Sequence, residues 1–431
     1  MTLAATFLVG AKGRLLPASV PFRFFAAAAT FHLLLWLLLL IGAGDAVSFQ
    51  GGTGPALAAV HLLTLGMLTT TAIGASVQLL PVATRRPLAA AWPIKLVFWL
   101  AVPGLAALIV GMYSANVGVL IPAAAVTTTG LLLFAALLAD NLRRAEALPV
   151  VAAYGWAALG ALVLLLGLGM ALAIDYRIGV LPDHRAATLA HMILGGFGLM
   201  GLLAIGFSHV LVPMFALSAA PAKRPAFVGF GLAAAAVAIG VAGALTDSTE
   251  LLTAATLIGL VAAGLHLWLM HRVLATGMRK RLGLSFGLIR AAWVMLPVTL
   301  VLGLATVHGL AGPRGPTLFG FMLIGGWLLT FLLGILQRIL PFLASMHVTR
   351  TAGAAPPMLS ELAASGPLKV HAACHAAALA ALALAIVTDS AALFGLGSAV
   401  GLAGAIAFAW FTADVIRRLA HVPTKWAPFL R

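Results

Sequence analysis

The segment Gly206-Phe-Ser-His-Val-Leu-Val-Pro213 has counterparts in two other apolar stretches of this 431-residue chain. They are Gly74-Ala-Ser-Val-Gln-Leu-Leu-Pro81 and Gly334-Ile-Leu-Gln-Arg-Ile-Leu-Pro341. Counted from the Gly74 segment, the Gly206 segment begins 132 residues later and the Gly334 segment 260 residues later. Gly66 and Gly326 match at the same offset of 260. Proline and glycine are also common devices of helix ends and close helix packing. The regular spacing is therefore the informative part, and it predicts a unit of about 130 residues that occurs three times.

The composition predicts an all-α integral membrane protein. Hydrophobic residues make up 63% of the chain and charged residues 8%. Apolar stretches long enough for the roughly 20 residues of a membrane-crossing helix recur along the whole sequence. The twelve predicted spans are 21–44, 55–81, 90–112, 115–139, 149–175, 186–216, 225–245, 249–274, 285–310, 316–343, 368–388 and 391–416.

The three similar segments fall in spans 2, 6 and 10, four helices apart. Four crossings restore the direction of the chain, so the units are expected to be parallel copies within a single transmembrane domain, residues 1–431. Their predicted bounds are approximately 20–140, 148–275 and 284–418. The predicted fold is twelve transmembrane helices arranged as three four-helix arcs about a pseudo-threefold axis.

The net charge of +15 is explained by membrane topology. With the N-terminus inside, only Arg177, Arg185 and Arg314 of the 25 lysine and arginine residues fall on the outer side. An excess of lysine and arginine in short inner loops sets the orientation of membrane proteins. We therefore expect both termini in the cytoplasm, contact with the lipid bilayer and no nucleic-acid partner. The single cysteine, Cys374, excludes an intramolecular disulfide.

Histidines inside the spans predict a cofactor site. An ionisable side chain within a membrane span indicates a functional site by default, and neutral imidazole is a ligand for metals and haem iron. His61 and His191 lie near the predicted outer ends of spans 2 and 6. Glycines follow both, among them Gly66 and Gly195, and would leave room for a macrocycle. We predict cofactor binding by His61 and His191; the alternative is a hydrogen bond across a helix interface.

A second polar group is predicted nearer the inner side. His371 and His375 are four residues apart, a spacing that places two imidazoles on one helix face. Together with His209 they are candidate metal ligands. Eighteen residues of α-helix make five turns, so His209 is expected on the same face of span 6 as His191. The alternative is that polar side chains near helix ends reach water or headgroups.

Three further residues are candidates for supporting roles. Arg338 could pair with an anionic group such as a haem propionate. His308, at the outer end of span 9, could approach the level of His61. His32, in the middle of span 1, is expected to be a hydrogen-bonding core residue, with a ligand role as the alternative.

Three successive four-helix arcs resemble the catalytic subunit of haem-copper oxidases and nitric oxide reductases. Locally, Pro21-Phe-Arg-Phe-Phe25, His61, Leu80-Pro81 and Arg85-Arg86-Pro-Leu88 resemble the opening of the NnrS family. NnrS proteins are twelve-span membrane proteins that carry haem and copper and are linked to nitric oxide metabolism. The resemblance implies haem b, with copper or another metal as a further cofactor, and the bacterial cytoplasmic membrane. It also makes His61 the counterpart of the oxidases' low-spin haem ligand.

The sequence departs from both families in its metal ligands. NnrS proteins carry a His-x-His-Glu cluster where this chain reads Ala59-Val-His-Leu62, so one histidine carries over. The oxidases place a histidine pair in span 7 and His-x-His in span 10. Here span 7 has no histidine, and span 10 offers Phe319 and Phe321. An oxygen-reducing copper centre is therefore expected to be absent.

These observations predict a haem-binding membrane protein of NnrS-like or oxidase-like type, with the haem in the outer half of the membrane. Its expected role is in nitric oxide or respiratory electron-transfer metabolism, with an electron donor or a respiratory complex as partner. Whether it is a haem-dependent oxidoreductase is left open. The alternatives are a twelve-span transporter of small solutes or anions without a cofactor, and a catalytically silent relative that assembles or regulates a respiratory complex.

Overall fold

A computed structural model describes residues 16–84, 86–88, 92–352 and 364–426 of the chain. The described residues form helices and connections, without a strand. Twelve helices are long and apolar enough to cross a membrane, as the sequence predicts. They are Ser19–Ile41, Pro55–Val82, Trp92–Tyr113, Val117–Arg143, Pro149–Ile178, His184–Ala216, Lys223–Leu245, Thr249–Thr276, Leu284–Val307, Gly315–His347, Ser365–Thr388 and Ala391–Leu419, called spans 1–12 here.

Several helices begin where a side chain can accept the free N–H groups of the first turn. Asn116 accepts from Gly118 and Val119 at the start of span 4. Asp183 accepts from Arg185 and Ala186 at the start of span 6. Such caps satisfy N–H donors that have no partner within the helix. They stabilise the short connections between spans 3 and 4 and between spans 5 and 6.

Spans 2, 6 and 10 each contain a π-helical segment of eight residues. The segments are Leu62–Thr69, Leu194–Gly201 and Met322–Leu329. Each begins 19 residues before the proline of its span, which is Pro81, Pro213 or Pro341. A π-helix has one residue more between hydrogen-bonded groups than an α-helix and often marks a functional site. The sequence analysis did not predict these segments.

The π-helices change one expectation about span 6. Leu194–Gly201 lies between His191 and His209, so the count of five α-helical turns does not apply to them. His191 lies beside His61 of span 2. His209 instead stacks on Tyr154 of span 5. The helix between the two histidines is therefore not α-helical throughout, yet both contact span 5, since His191 lies beside Gly169. Their projection from one face of span 6 stays a prediction.

The same three spans form the centre of the molecule. In their most apolar windows, 67, 89 and 61% of the residues of spans 2, 6 and 10 are buried, against 22–44% in the other nine spans. The three π-helices contact one another. Glycines allow the close approach of spans 6 and 10, because a Cβ atom on Gly196 would lie 2.7 Å from Leu323 and one on Gly201 would lie 3.0 Å from Trp327. Span 12 packs against span 1, so the outer helices form a closed ring around spans 2, 6 and 10.

Glycines set the contacts between spans 1 and 2, spans 5 and 6, and spans 9 and 10. A Cβ atom on Gly74 would lie 2.9 Å from Phe24, and one on Gly206 would lie 2.6 Å from Tyr154. On Gly334 it would lie 2.8 Å from the carbonyl oxygen of Ser285. These are the glycines of the three similar sequence segments, and each faces the beginning of span 1, 5 or 9.

The predicted topology can be tested by cysteine labelling in a Cys374→Ala background. Ser48→Cys and Val180→Cys are expected to react with an impermeant reagent from outside intact cells. Arg85→Cys and Lys280→Cys should react only after permeabilisation, because the lysine and arginine bias places their loops inside. Labelling of position 280 in intact cells would contradict this orientation. Some of the cations predicted to lie inside fall outside the described residues, namely Lys12, Arg14, Arg85 and Arg431. The side chains of Arg350 and Lys425 are not described either.

Candidate cofactor site

A large cavity lies among the helices in the half of the molecule that is predicted to face outward. Its volume is about 1490 Å³, which exceeds the roughly 300–1,000 Å³ of ordinary small-molecule sites. Most of the lining side chains are leucine, alanine, glycine and other apolar residues. The cavity reaches the connections at the predicted outer surface, where Gln50, Asp183 and Asp247 line it.

His61 and His191 line this cavity and face each other. Their ring centroids are 6.4 Å apart, and their planes differ by 30°. Both residues are half-buried. The sequence thus identified two histidines, on spans 2 and 6, that the fold places side by side.

Hydrogen bonding prepares His61 to act as a ligand. Its Nδ1 lies 3.0 Å from the carbonyl oxygen of Leu57. Because a carbonyl oxygen can only accept, Nδ1 carries the proton and Nε2 keeps the lone pair that binds metals. This arrangement also fixes the ring orientation.

His191 is held by shape more than by hydrogen bonds. Its Nδ1 is buried without a close hydrogen bond, and the ring lies near the backbone of Leu165. A Cβ atom on Gly169 of span 5 would lie 3.0 Å from Cε1 of His191. Gly169 therefore makes room for the imidazole, a role that the sequence analysis missed because a lone glycine in an apolar helix carries no distinctive signal.

Aromatic side chains of span 10 also line the cavity. Phe319 and Phe321 of span 10 line it, as does Trp327. Phe197 of span 6 lies 6.4 Å from Phe319 and 5.8 Å from Trp327, measured between ring centroids. Counted back from the prolines, Phe321 occupies the position of His61 and Phe319 that of His191. The site therefore combines two imidazoles with a flat apolar surface.

These residues fit a planar metal-containing group. A metal–nitrogen bond is about 2 Å long, so two imidazoles that bind one metal have ring centres several Å apart. The 6.4 Å between the ring centroids of His61 and His191 leaves room for both rings to hold one metal. The cavity offers space beside the rings, and its apolar walls suit the body of a macrocycle.

Arg185 is the one lysine or arginine that lines the cavity within the described part of the chain. It lies in the first turn of span 6, at the predicted outer mouth, and its side chain is exposed. Close by, Nδ1 of His184 lies 2.7 Å from Oδ2 of Asp175. Arg185, and not Arg338, is therefore the arginine available to an acidic group of a molecule in the cavity.

Arg338 and His308 lie apart from this cavity. Arg338 is near the predicted inner end of span 10, where its Nε donates to Ser285 Oγ at 2.8 Å. His308 is exposed at the end of span 9, with Nε2 3.0 Å from Thr253 Oγ1. The structure does not bring either side chain to His61 or His191, and their predicted roles in cofactor binding remain predictions.

A second group of histidines is fully buried between spans 1 and 11. The ring centroids of His32 and His371 are 6.3 Å apart, and those of His371 and His375 are 5.8 Å apart. Trp36 donates its indole N–H to Nε2 of His32 at 2.9 Å. The proton of neutral His32 is then on Nδ1, which is buried without a hydrogen-bond partner. In this arrangement the lone pair of Nε2 accepts from Trp36 and is not free to bind a metal.

His371 and His375 each have a polar neighbour on span 10. The Nε2 atom of His375 lies 2.9 Å from Thr330 Oγ1, and Nδ1 of His371 lies 3.4 Å from the Gln337 side-chain amide. His209 belongs to a different group, in which its ring centroid is 5.9 Å from that of His266. Across the described ranges, no three or more His, Cys, Asp or Glu side chains converge as a metal site. Metal binding by His209, His371 and His375 stays a prediction.

Comparisons with known proteins leave the family open. No protein-family model matches the chain, and no curated protein sequence matches it.

Proposed function

We propose that this chain is a haem-binding membrane protein of the NnrS and haem-copper oxidase type, with its haem in the outer half of the membrane. One observation carries the proposal: His61 and His191 face each other at 6.4 Å in a large apolar cavity. An ionisable side chain within a membrane span is costly and indicates a functional site by default. Ligation of haem iron would use both rings and the space beside them.

The proposal includes the arrangement of three four-helix arcs about a pseudo-threefold axis. It is supported by π-helices at the same distance from Pro81, Pro213 and Pro341. It is also supported by the mutual contacts of the three π-helices and by the packing of span 12 on span 1. Gly66, Gly198 and Gly326 each lie 15 residues before these prolines. Structure and sequence recur at equal spacing, which favours a parallel repeat. The alternative, that glycine and proline recur only because they are common at helix ends, does not account for the matching π-helices.

The residues of this chain would provide ligation, orientation and exclusion of water. The hydrogen bond from His61 Nδ1 to Leu57 O would leave the lone pair of Nε2 for ligation, and Gly169 leaves room for His191. The apolar walls exclude water, while Arg185 at the mouth would pair with acidic groups of the cofactor. A bound haem b would supply a redox-active iron that binds diatomic gases. We assign the chain to nitric oxide or respiratory electron-transfer metabolism in the bacterial cytoplasmic membrane, with an electron donor or respiratory complex as partner.

A reduced-minus-oxidised visible spectrum of the purified protein tests this proposal directly. Expression with a haem precursor is expected to yield a Soret band and a sharp α band, because two imidazole ligands produce low-spin iron. Pyridine haemochrome analysis should identify haem b. Absence of any haem band under these conditions would reject the proposal.

The second candidate is a transporter of small solutes or anions. It is favoured by a specific feature, the extension of the cavity to the predicted outer mouth where Arg185 lies. No carboxylate lines the deeper part of the cavity, so coupling to protons through an acid has no support there. If the protein lacks haem, uptake of labelled anions into proteoliposomes is the next measurement.

A further inference from the structure

The positive charges at the predicted inner end of the molecule are unevenly paired. In one part they form ion pairs with nearby acids. The paired cations are Arg86 with Glu146, Arg143 and Arg144 with Asp140, and Arg417 and Arg418 with Asp414. In contrast, the three consecutive cations Arg279, Lys280 and Arg281, between spans 8 and 9, form no ion pair with an acid in the described part of the chain.

The connection that carries these three cations is held in a defined position. The backbone N–H of Met278 donates to Leu217 O at 3.4 Å, and that of Arg279 donates to Ala216 O at 3.1 Å. A Cβ atom on Gly277 would lie 2.7 Å from Ala216 O. Glycine is therefore needed for this approach, and the connection is fixed to the end of span 6.

Arg338 holds the other end of the connection. It donates to the carbonyl oxygen of Leu282 and to Ser285 Oγ, and its guanidinium carbon lies 6.0 Å from the centre of the Phe286 ring. Arg338 likewise has no acidic partner among the residues described. It positions the start of span 9 and adds a fourth positive charge beside the three.

Apolar side chains are exposed directly beside these charges. Met278 is 65% exposed and Leu284 43% exposed, on either side of the three cations. On span 8, the guanidinium carbon of Arg272 lies 5.0 Å from the centre of the exposed Trp268 ring. A soluble anion would use the charges alone. A phospholipid would use both the charges and the apolar surface next to them.

We propose that the connection 277–283, together with Arg338, binds the phosphate headgroup of an anionic phospholipid. Basic pockets near the inner ends of membrane helices recognise such headgroups. The general excess of lysine and arginine inside explains how many cations there are, but it does not explain why three consecutive cations without an acidic partner are held on a fixed connection beside exposed apolar side chains. This site is distant in sequence from His61 and His191, and it does not depend on haem binding.

Native mass spectrometry of the detergent-solubilised full chain tests the proposal. Wild-type protein is expected to bind phosphatidylglycerol in preference to phosphatidylcholine. The variant with Arg279→Gln, Lys280→Gln and Arg281→Gln should lose at least about tenfold in this preference, because each cation near a lipid phosphate contributes to binding. The matched control, with Arg86→Gln, Arg143→Gln and Arg144→Gln, removes the same charge from paired positions and should keep the preference.

Equal loss of preference in the two triple variants would overturn the proposal, since it would mean that only total charge matters. Tighter binding of pyrophosphate than of phosphatidylglycerol, with the same sensitivity to the variants, would assign the site to a soluble anion instead. The double variant Lys280→Gln, Arg281→Gln changes only exposed side chains and so retains the fold. It should also weaken phosphatidylglycerol binding, and an unchanged affinity in this variant would count against the site.

Discussion

Replacement of His61 by alanine is expected to remove the low-spin haem spectrum. His61 is the residue whose ring orientation and tautomer are fixed for ligation, through Nδ1 and Leu57 O. Loss of even an outer-shell partner of a metal ligand costs about 10–100-fold in affinity, so loss of the ligand itself should cost at least that much. The visible spectrum should change to that of high-spin iron, or haem should be absent from the purified protein.

His191→Ala should give the same result, because the two rings face each other across the proposed iron position. His271→Ala is the matched control, since His271 is exposed near the predicted inner end of span 8 and does not line the cavity. Its spectrum should equal that of wild type. Added imidazole should restore the low-spin bands of the His61 variant, a rescue that a merely structural role would not allow.

A His61→Ala protein that keeps a normal low-spin spectrum would contradict ligation by this residue. If His371→Ala or His375→Ala then lost the spectrum, the haem would belong to the buried group between spans 1 and 11. Comparing the spectra of these single variants therefore shows whether haem is bound by His61 and His191 or by His371 and His375.

The sequence predicted the spans because apolar stretches of about 20 residues match the thickness of the bilayer's hydrocarbon core and are uncommon elsewhere. Each of the twelve predicted ranges corresponds to one helix, with ends that differ by a few residues. Spans 6 and 10 are the longest, with 33 residues each. Span 2 has 28 residues and also contains a π-helix, so length does not reveal these segments. Their wider turns do not follow from the propensities of individual residues.

The candidate site was predictable only in part. The sequence placed His61 and His191 at similar depth in spans 2 and 6 and made both candidates for cofactor binding, but that the two rings lie side by side is known only from the fold. Gly169 could not be found this way, since its importance depends on a neighbour 22 residues further along the chain. Arg338 was assigned to a cofactor because its charge lay in a span, yet the fold directs it to Leu282 and Ser285. Helix rotation, which decides such contacts, is set by packing and not by local sequence.

The glycine at position 401 offers a severe test of the packing between spans 1 and 12. A Cβ atom on Gly401 would lie 2.1 Å from Cε3 of Trp36, and Trp36 is only 2% exposed. Gly401→Ala must therefore displace the indole ring and disturb its hydrogen bond to His32. Overpacking costs about 1–3 kcal/mol or more, and the lost buried hydrogen bond adds roughly 1 kcal/mol. We expect a loss of about 3 kcal/mol and a thermal midpoint lower by roughly 5 °C or more.

Gly264→Ala is the matched control, because nothing lies within 4 Å of a Cβ atom at that position of span 8. It should leave the thermal midpoint unchanged or raise it, as alanine favours the helix by up to about 1 kcal/mol over glycine. In a Trp36→Leu background the cost of Gly401→Ala should fall sharply, since the smaller side chain can move away from the added methyl group. An unchanged cost in that background would show that contact with Trp36 is not its cause, and the close packing of spans 1 and 12 described here would then be incorrect.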